Sequence, residues 1–108
     1  MLDLTNLQQI TDGNRAMLNS LLSEFVRTTD SDLKDLANAV SSQQKDLITR
    51  LSHRIKGAAS IVGASELAEL TGELETKGKQ AHPDDSSELL NKIIDCYNDV
   101  SKEIDLYK

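Results

Sequence analysis

The spacing of apolar residues near the C-terminus restricts this chain more than any other feature. Leu90, Ile93, Tyr97, Val100, Ile104 and Tyr107 step by alternating threes and fours. That is the seam of a helix packed on antiparallel neighbours, and a strand cannot gather those positions on one face. Similar spacing recurs upstream. Leu4, Leu7 and Ile10 predict a short leading helix. Met17, Leu18, Leu21, Leu22, Phe25 and Val26 form the stripe of a second, with Asp12 as its candidate cap. Thr28, Thr29 and Asp30 read as a break, after which Asp30 or Ser31 would cap a helix carrying Leu33, Leu36, Ala37 and Val40.

The next helix is expected from Lys45 to about Val62, with Leu47, Ile48, Leu51, Ile55, Ala58 and Val62 on one stripe. Gly63 stands where a C-terminal cap belongs. Ser65 is the candidate cap of a helix bearing Leu67, Leu70 and Leu74. Gly78 to Ser87, with the only proline at Pro83, reads as a loop, and the last helix starts near Ser86 or Ser87. The expected fold is all-α: an antiparallel four-helix bundle with one or two short N-terminal helices covering one end. A length of 108 residues fits a single domain over 1–108, its core bundle spanning about 12–107.

Composition removes several function classes. The formal net charge is −6, so bulk electrostatics disfavour nucleic acid. Aromatic residues make up 3% (Phe25, Tyr97 and Tyr107), too few for a base-stacking platform. Cys96 is the only cysteine, which excludes a disulfide framework or a cysteine-rich metal site. No apolar run approaches the roughly 20 residues of a membrane span, so no membrane insertion by this segment is expected. The first ten residues carry Asp3 and no basic residue, unlike a signal peptide, and a cytoplasmic location is the default.

The segment Leu51-Ser52-His53-Arg54-Ile55-Lys56-Gly57-Ala58-Ala59-Ser60 concentrates the chemistry. At about 100° per residue, Leu51, Ile55, Ala58 and Val62 cluster on one side, and His53 falls about 180° from their mean. Thr49, Lys56, Gly57, Ser60 and Ala64 lie within roughly 60° of His53 on the outer face. Gly57 is the informative neighbour. A mid-helix glycine costs about 1 kcal/mol against alanine, and this one does not face the core. It leaves space one turn from the imidazole, where a partner backbone or a bulky reacting group can approach. Lys56 is also one turn away. At about 6 Å in water-like dielectric, its charge would stabilise a phosphoryl group on the imidazole by on the order of 1 kcal/mol.

His53-Arg54-Ile55-Lys56-Gly57-Ala58-Ala59, followed by Gly63-Ala64 and Leu67, resembles the signature of histidine-containing phosphotransfer domains. Leu21-Leu22-Ser23-Glu24-Phe25, with Asp32-Leu33 and Leu36 downstream, is similar to the helix these domains pack beside the active histidine. The likeness extends from Asp12 to Tyr107. It implies that His53 accepts a phosphoryl group on its distal ring nitrogen from a phospho-aspartate of a response-regulator receiver domain, and passes it to a second receiver. Lys56 would support the phosphoryl group. Gly57, Thr49, Arg54, Ser60 and Ala64 would provide clearance and partner docking.

The resemblance further implies no cofactor of the chain's own, with Mg²⁺ on the partner receiver. It implies a phosphocarrier and not an enzyme in itself, since no Gly-rich nucleotide box is present. The nearest sub-type is the C-terminal module of a hybrid sensor histidine kinase, whose parent chain would be anchored in the inner membrane. A free-standing shuttle fits the length equally well, and a monomer is the default. A histidine-kinase dimerisation domain fits less well, because Arg54 follows His53 where that class resembles His followed by an acidic residue. A helical adaptor without chemistry leaves Gly57 beside His53 and Lys56 unexplained. His82 with Asp84 and Asp85 is weak as a metal site.

Overall fold

Helices dominate the computed structural model, which describes residues 2–80 and 86–108. They are α1 (Thr5–Ile10), α2 (Arg15–Ser41), α3 (Lys45–Ile61), α4 (Ser65–Gly78) and α5 (Ser86–Tyr107). The expected break at Thr28–Asp30 is absent, and α2 is one helix of 27 residues. Threonine is a weak helix former, but here tertiary contacts override the propensity. Thr28 Oγ1 donates back to the Glu24 carbonyl at 2.9 Å, inside the helix. Thr29 is buried. Tyr97 of α5 brings its hydroxyl within 2.6 Å of Asp30 Oδ1 and 3.1 Å of the Val26 carbonyl. At 1.5 Å per residue α2 is about 40 Å long, most of the 45 Å long axis of the molecule.

The helix starts differ from expectation in two places. Asp12 does not cap α2: it and Gly13 take left-handed backbone, φ 51° and 75°, and Asn14 is the cap, its side chain accepting from the Met17 amide at 3.0 Å. Ser65 is the first residue of α4, and Ala64 holds the cap position without a side-chain hydrogen bond.

Helices α2 to α5 form a closed square, α3 packing on α2 and α4, and α5 on α4 and α2. Each contributes fully buried aliphatic residues, among them Leu22, Leu36, Ile48, Ile55, Leu67, Leu74, Ile93 and Ile104. Met17 and Leu21 do not join this core, being 49% and 37% exposed. The core-facing positions there are the adjacent Leu18 and Leu22, both buried, which turns Met17 and Leu21 to the flank of α2.

One short N-terminal helix, α1, covers an end of the bundle. Leu7 is buried there, Asn6 Nδ2 donates to the Ile61 carbonyl, and Gln8 Nε2 donates to Tyr107 Oη. The residues before it form a strap. The Leu2 amide donates to Glu103 and the Asp3 amide to the Gly63 carbonyl at 3.0 Å. Gly63 is required here twice over, because its φ is +77° and a Cβ would stand 1.7 Å from the Asp3 carbonyl oxygen. No helix among the described residues is long and apolar enough to cross a membrane.

Candidate functional site

The site lies on the outer face of α3 where it runs beside α4. Leu51 and Ile55 are buried and fix the rotation of α3, which turns His53 outward with 69% of its side chain exposed. Glu75 reaches across from α4. Its Oε2 stands 3.0 Å from His53 Nδ1, and its Oε1 is 3.1 Å from Lys56 Nζ. Lys79 Nζ is 3.9 Å from Oε2, one turn further along α4. The Lys56 stem passes Gly72, where a Cβ would come within 3.3 Å of Cδ, so the glycine gives that side chain its path to Glu75.

The charge state of Glu75 decides what the imidazole can do. Partial burial opposes ionisation, but the hydrogen bonds and charges of Lys56 and His53 outweigh it and hold the carboxyl below its ordinary range. An ionised carboxylate only accepts, so in the neutral ring Nδ1 carries the proton and Nε2 keeps its lone pair. The Glu75 side chain is 13% exposed and is held from the other side by Lys56 and, more distantly, Lys79, a firm anchor for an exposed ring. The arrangement can therefore present an oriented nitrogen nucleophile beside a cation.

The family model of the Hpt domain matches residues 20–103. The chain belongs to the Hpt domain family. Its role is histidine phosphotransfer in a two-component phosphorelay, as a phosphocarrier that exchanges phosphoryl groups with response-regulator receivers. The crystal structure of histidine-containing phosphotransfer protein B (HptB) from Pseudomonas aeruginosa PAO1 matches with a TM-score of 0.91 at 22% identity, over 98% of this chain and 92% of that one. At that identity the likeness bears on the fold, the helical architecture of an Hpt domain. No curated protein matches the chain in sequence.

Within this Hpt domain the outer-face residues separate. His53 and Lys56 meet at Glu75, and Thr49 lines the same groove one turn toward the start of α3. Gly57 is exposed, and a Cβ there would meet nothing within 4 Å. Arg54 turns away toward α2, where Nε and Nη2 donate to the two Asp32 oxygens at 2.9 and 2.6 Å. Ser60 is exposed, but its hydroxyl donates to the Lys56 carbonyl within α3. Ala64 does not share this face. The α-helix ends at Ile61, the chain turns at Gly63, and Ala64 is 2% exposed and bridged to Leu2, so its side chain offers no docking surface.

Glu75 is the site residue that sequence reasoning missed. The available signal was the short joint between α3 and α4. In an antiparallel pair, residues at similar distance from the joint stand side by side, and His53 and Glu75 flank Gly63 in that way. Among the described residues no group of three His, Cys, Asp or Glu side chains is placed to hold a metal ion. His82, Asp84 and Asp85 lie outside the described residues.

Proposed function

We propose that His53 is the phosphoryl-accepting residue of this Hpt domain and that Nε2 is the reacting atom. The observation that carries this reading is the Nδ1 contact to Glu75, which leaves the opposite nitrogen free on a largely exposed ring. In the transfer step the Nε2 lone pair attacks phosphorus on a receiver phospho-aspartate. The bond from phosphorus to the aspartate oxygen breaks, and the carboxylate leaves with the electron pair. Nδ1–H continues to donate to Glu75, whose charge offsets the positive charge developing on the ring. Lys56, already beside the imidazole, supports the phosphoryl oxygens. Transfer to a second receiver aspartate is the same step reversed.

Mg²⁺ bound by the receiver neutralises phosphoryl charge, and this chain supplies no cofactor of its own. Gly57 gives clearance, while Thr49, Arg54 and Ser60 border the docking surface. The domain acts as a monomer in the cytoplasm, either free-standing or as the C-terminal module of a hybrid histidine kinase.

The test is phosphorylation by phosphoramidate and, separately, by Mg²⁺-loaded receiver domains charged with acetyl phosphate, with His53→Gln in parallel. The expected product is one acid-labile phosphoryl group on the wild type and none on the variant. An adduct that persists in His53→Gln, or none from any donor, overturns the assignment.

A further inference from the structure

The surface around His53 is electrically lopsided. Toward the start of α3, a groove runs from His53 past Thr49 to Lys45 and Arg50, with Lys79 on its α4 wall. Among the described residues neither Lys45 nor Arg50 is ion-paired. Two carboxylates line the groove, Asp46 and Glu75. Glu75 is engaged by His53, Lys56 and, at 3.9 Å, Lys79, which leaves Asp46 against the two cations Lys45 and Arg50. Toward α2 the neighbouring cation, Arg54, is neutralised by both oxygens of Asp32. Toward the end of α3 the surface is small and uncharged, with Gly57, Ala58, the internally bonded Ser60 and the half-exposed Ile61. On a chain of net charge −6, the gathering of Lys45, Arg50 and Lys79 in one groove beside His53 makes this side of the site its cationic one.

We propose that the Lys45–Arg50–Lys79 groove is a docking and steering surface for the acidic rim around the receiver's phospho-aspartate, and that it sets the partner's orientation on α3. This rests on His53 being the carrier. The occupant follows from charge. A phospho-aspartate and the carboxylates that hold its metal form a locally anionic surface, which an acidic protein would repel except through this groove. The partner's acidic side then lies toward the start of α3, and its uncharged side lies over Gly57. Cations at a rim act mainly on association rate, and that action is screened by salt.

The experiment uses the receiver domain that phosphorylates the wild type fastest in the panel above, and follows the second-order transfer rate from low to high ionic strength. Lys45→Glu/Arg50→Glu is compared with Lys102→Glu on α5, and each protein is also phosphorylated with phosphoramidate. The expected result is a loss of about tenfold in receiver transfer at low salt for the double variant, with a flattened salt dependence. Its phosphoramidate rate should be unchanged, as should both rates of Lys102→Glu. Three results would overturn the groove: an unaltered salt dependence in the double variant, an equal loss in Lys102→Glu, or a parallel loss with phosphoramidate. Failure of every donor on the wild type would instead remove the carrier assignment for His53.

Discussion

Glu75 on α4 accepts from His53 Nδ1 at 3.0 Å, although the two residues belong to different helices and only the histidine faces solvent. With His53 as the proposed carrier, this contact would make Glu75 a positioning residue, one that holds the ring and its tautomer without touching the phosphoryl group. An exposed charge-assisted hydrogen bond contributes about 1 kcal/mol, so Glu75→Ala should slow phosphorylation by phosphoramidate about fivefold. Imidazole ¹⁵N spectra should show the Nδ1–H form losing population in that variant. Glu75→Gln, which retains an acceptor, should restore part of both. An unchanged tautomer ratio alongside a slowed reaction would remove the positioning role.

The same carboxylate ties stability to acid. Its folded-state value is depressed below the ordinary 4.5, so the unfolded chain binds the proton more readily. The stabilisation is complete above that ordinary value and is lost as pH falls through the folded value. The stability gap between the wild type and Glu75→Gln should shrink steadily as pH drops below 4.5. Urea unfolding at several pH values measures it. A gap independent of pH would mean that Lys56 and His53 do not hold the carboxylate ionised.

The strap over the α3–α4 joint makes Gly63 a folding determinant. Gly63→Ala meets two penalties, a left-handed φ of +77° and a Cβ placed 1.7 Å from the Asp3 carbonyl oxygen. Together these should cost about 2–3 kcal/mol, seen as a lower urea midpoint. Removing residues 1–3 relieves the clash and leaves the backbone strain, so the same substitution in the shortened chain should cost only about 1 kcal/mol. Equal costs in both backgrounds would show that the strap yields without resistance.

Local periodicity was enough to read the bundle and the outward direction of His53, because Leu51 and Ile55 orient α3 by burial alone. It failed where distant residues decide. Thr28 to Asp30 stay helical because Tyr97, far along the chain, reaches Asp30 and the Val26 carbonyl. Continuing the helical rotation beyond Ile61 puts Ala64 on the outer face, whereas the turn at Gly63 sends it inward. Glu75 is invisible to a one-helix reading, since its partners lie on α3. Charge pairing has the same origin. Arg54 and Arg50 look alike in sequence, and only the packing of α2 against α3 neutralises the first.

Gly57 separates the needs of the fold from those of the partner. It sits mid-helix on the exposed face, its backbone is helical, and an added Cβ meets nothing within 4 Å. The isolated domain therefore gains from Gly57→Ala. The substitution should stabilise it by about 1 kcal/mol, the helix-propensity difference, and raise Tm by about 5 °C. Phosphorylation by phosphoramidate, a small donor, should be unaffected. Transfer from a receiver should slow, and Gly57→Leu should slow it further, because the added side chain stands one turn from His53 where the partner must close. A stabilised domain with undiminished receiver transfer would show that the space beside the imidazole is not used. Loss of stability in Gly57→Ala would mean instead that the helix needs its glycine for a reason within the bundle.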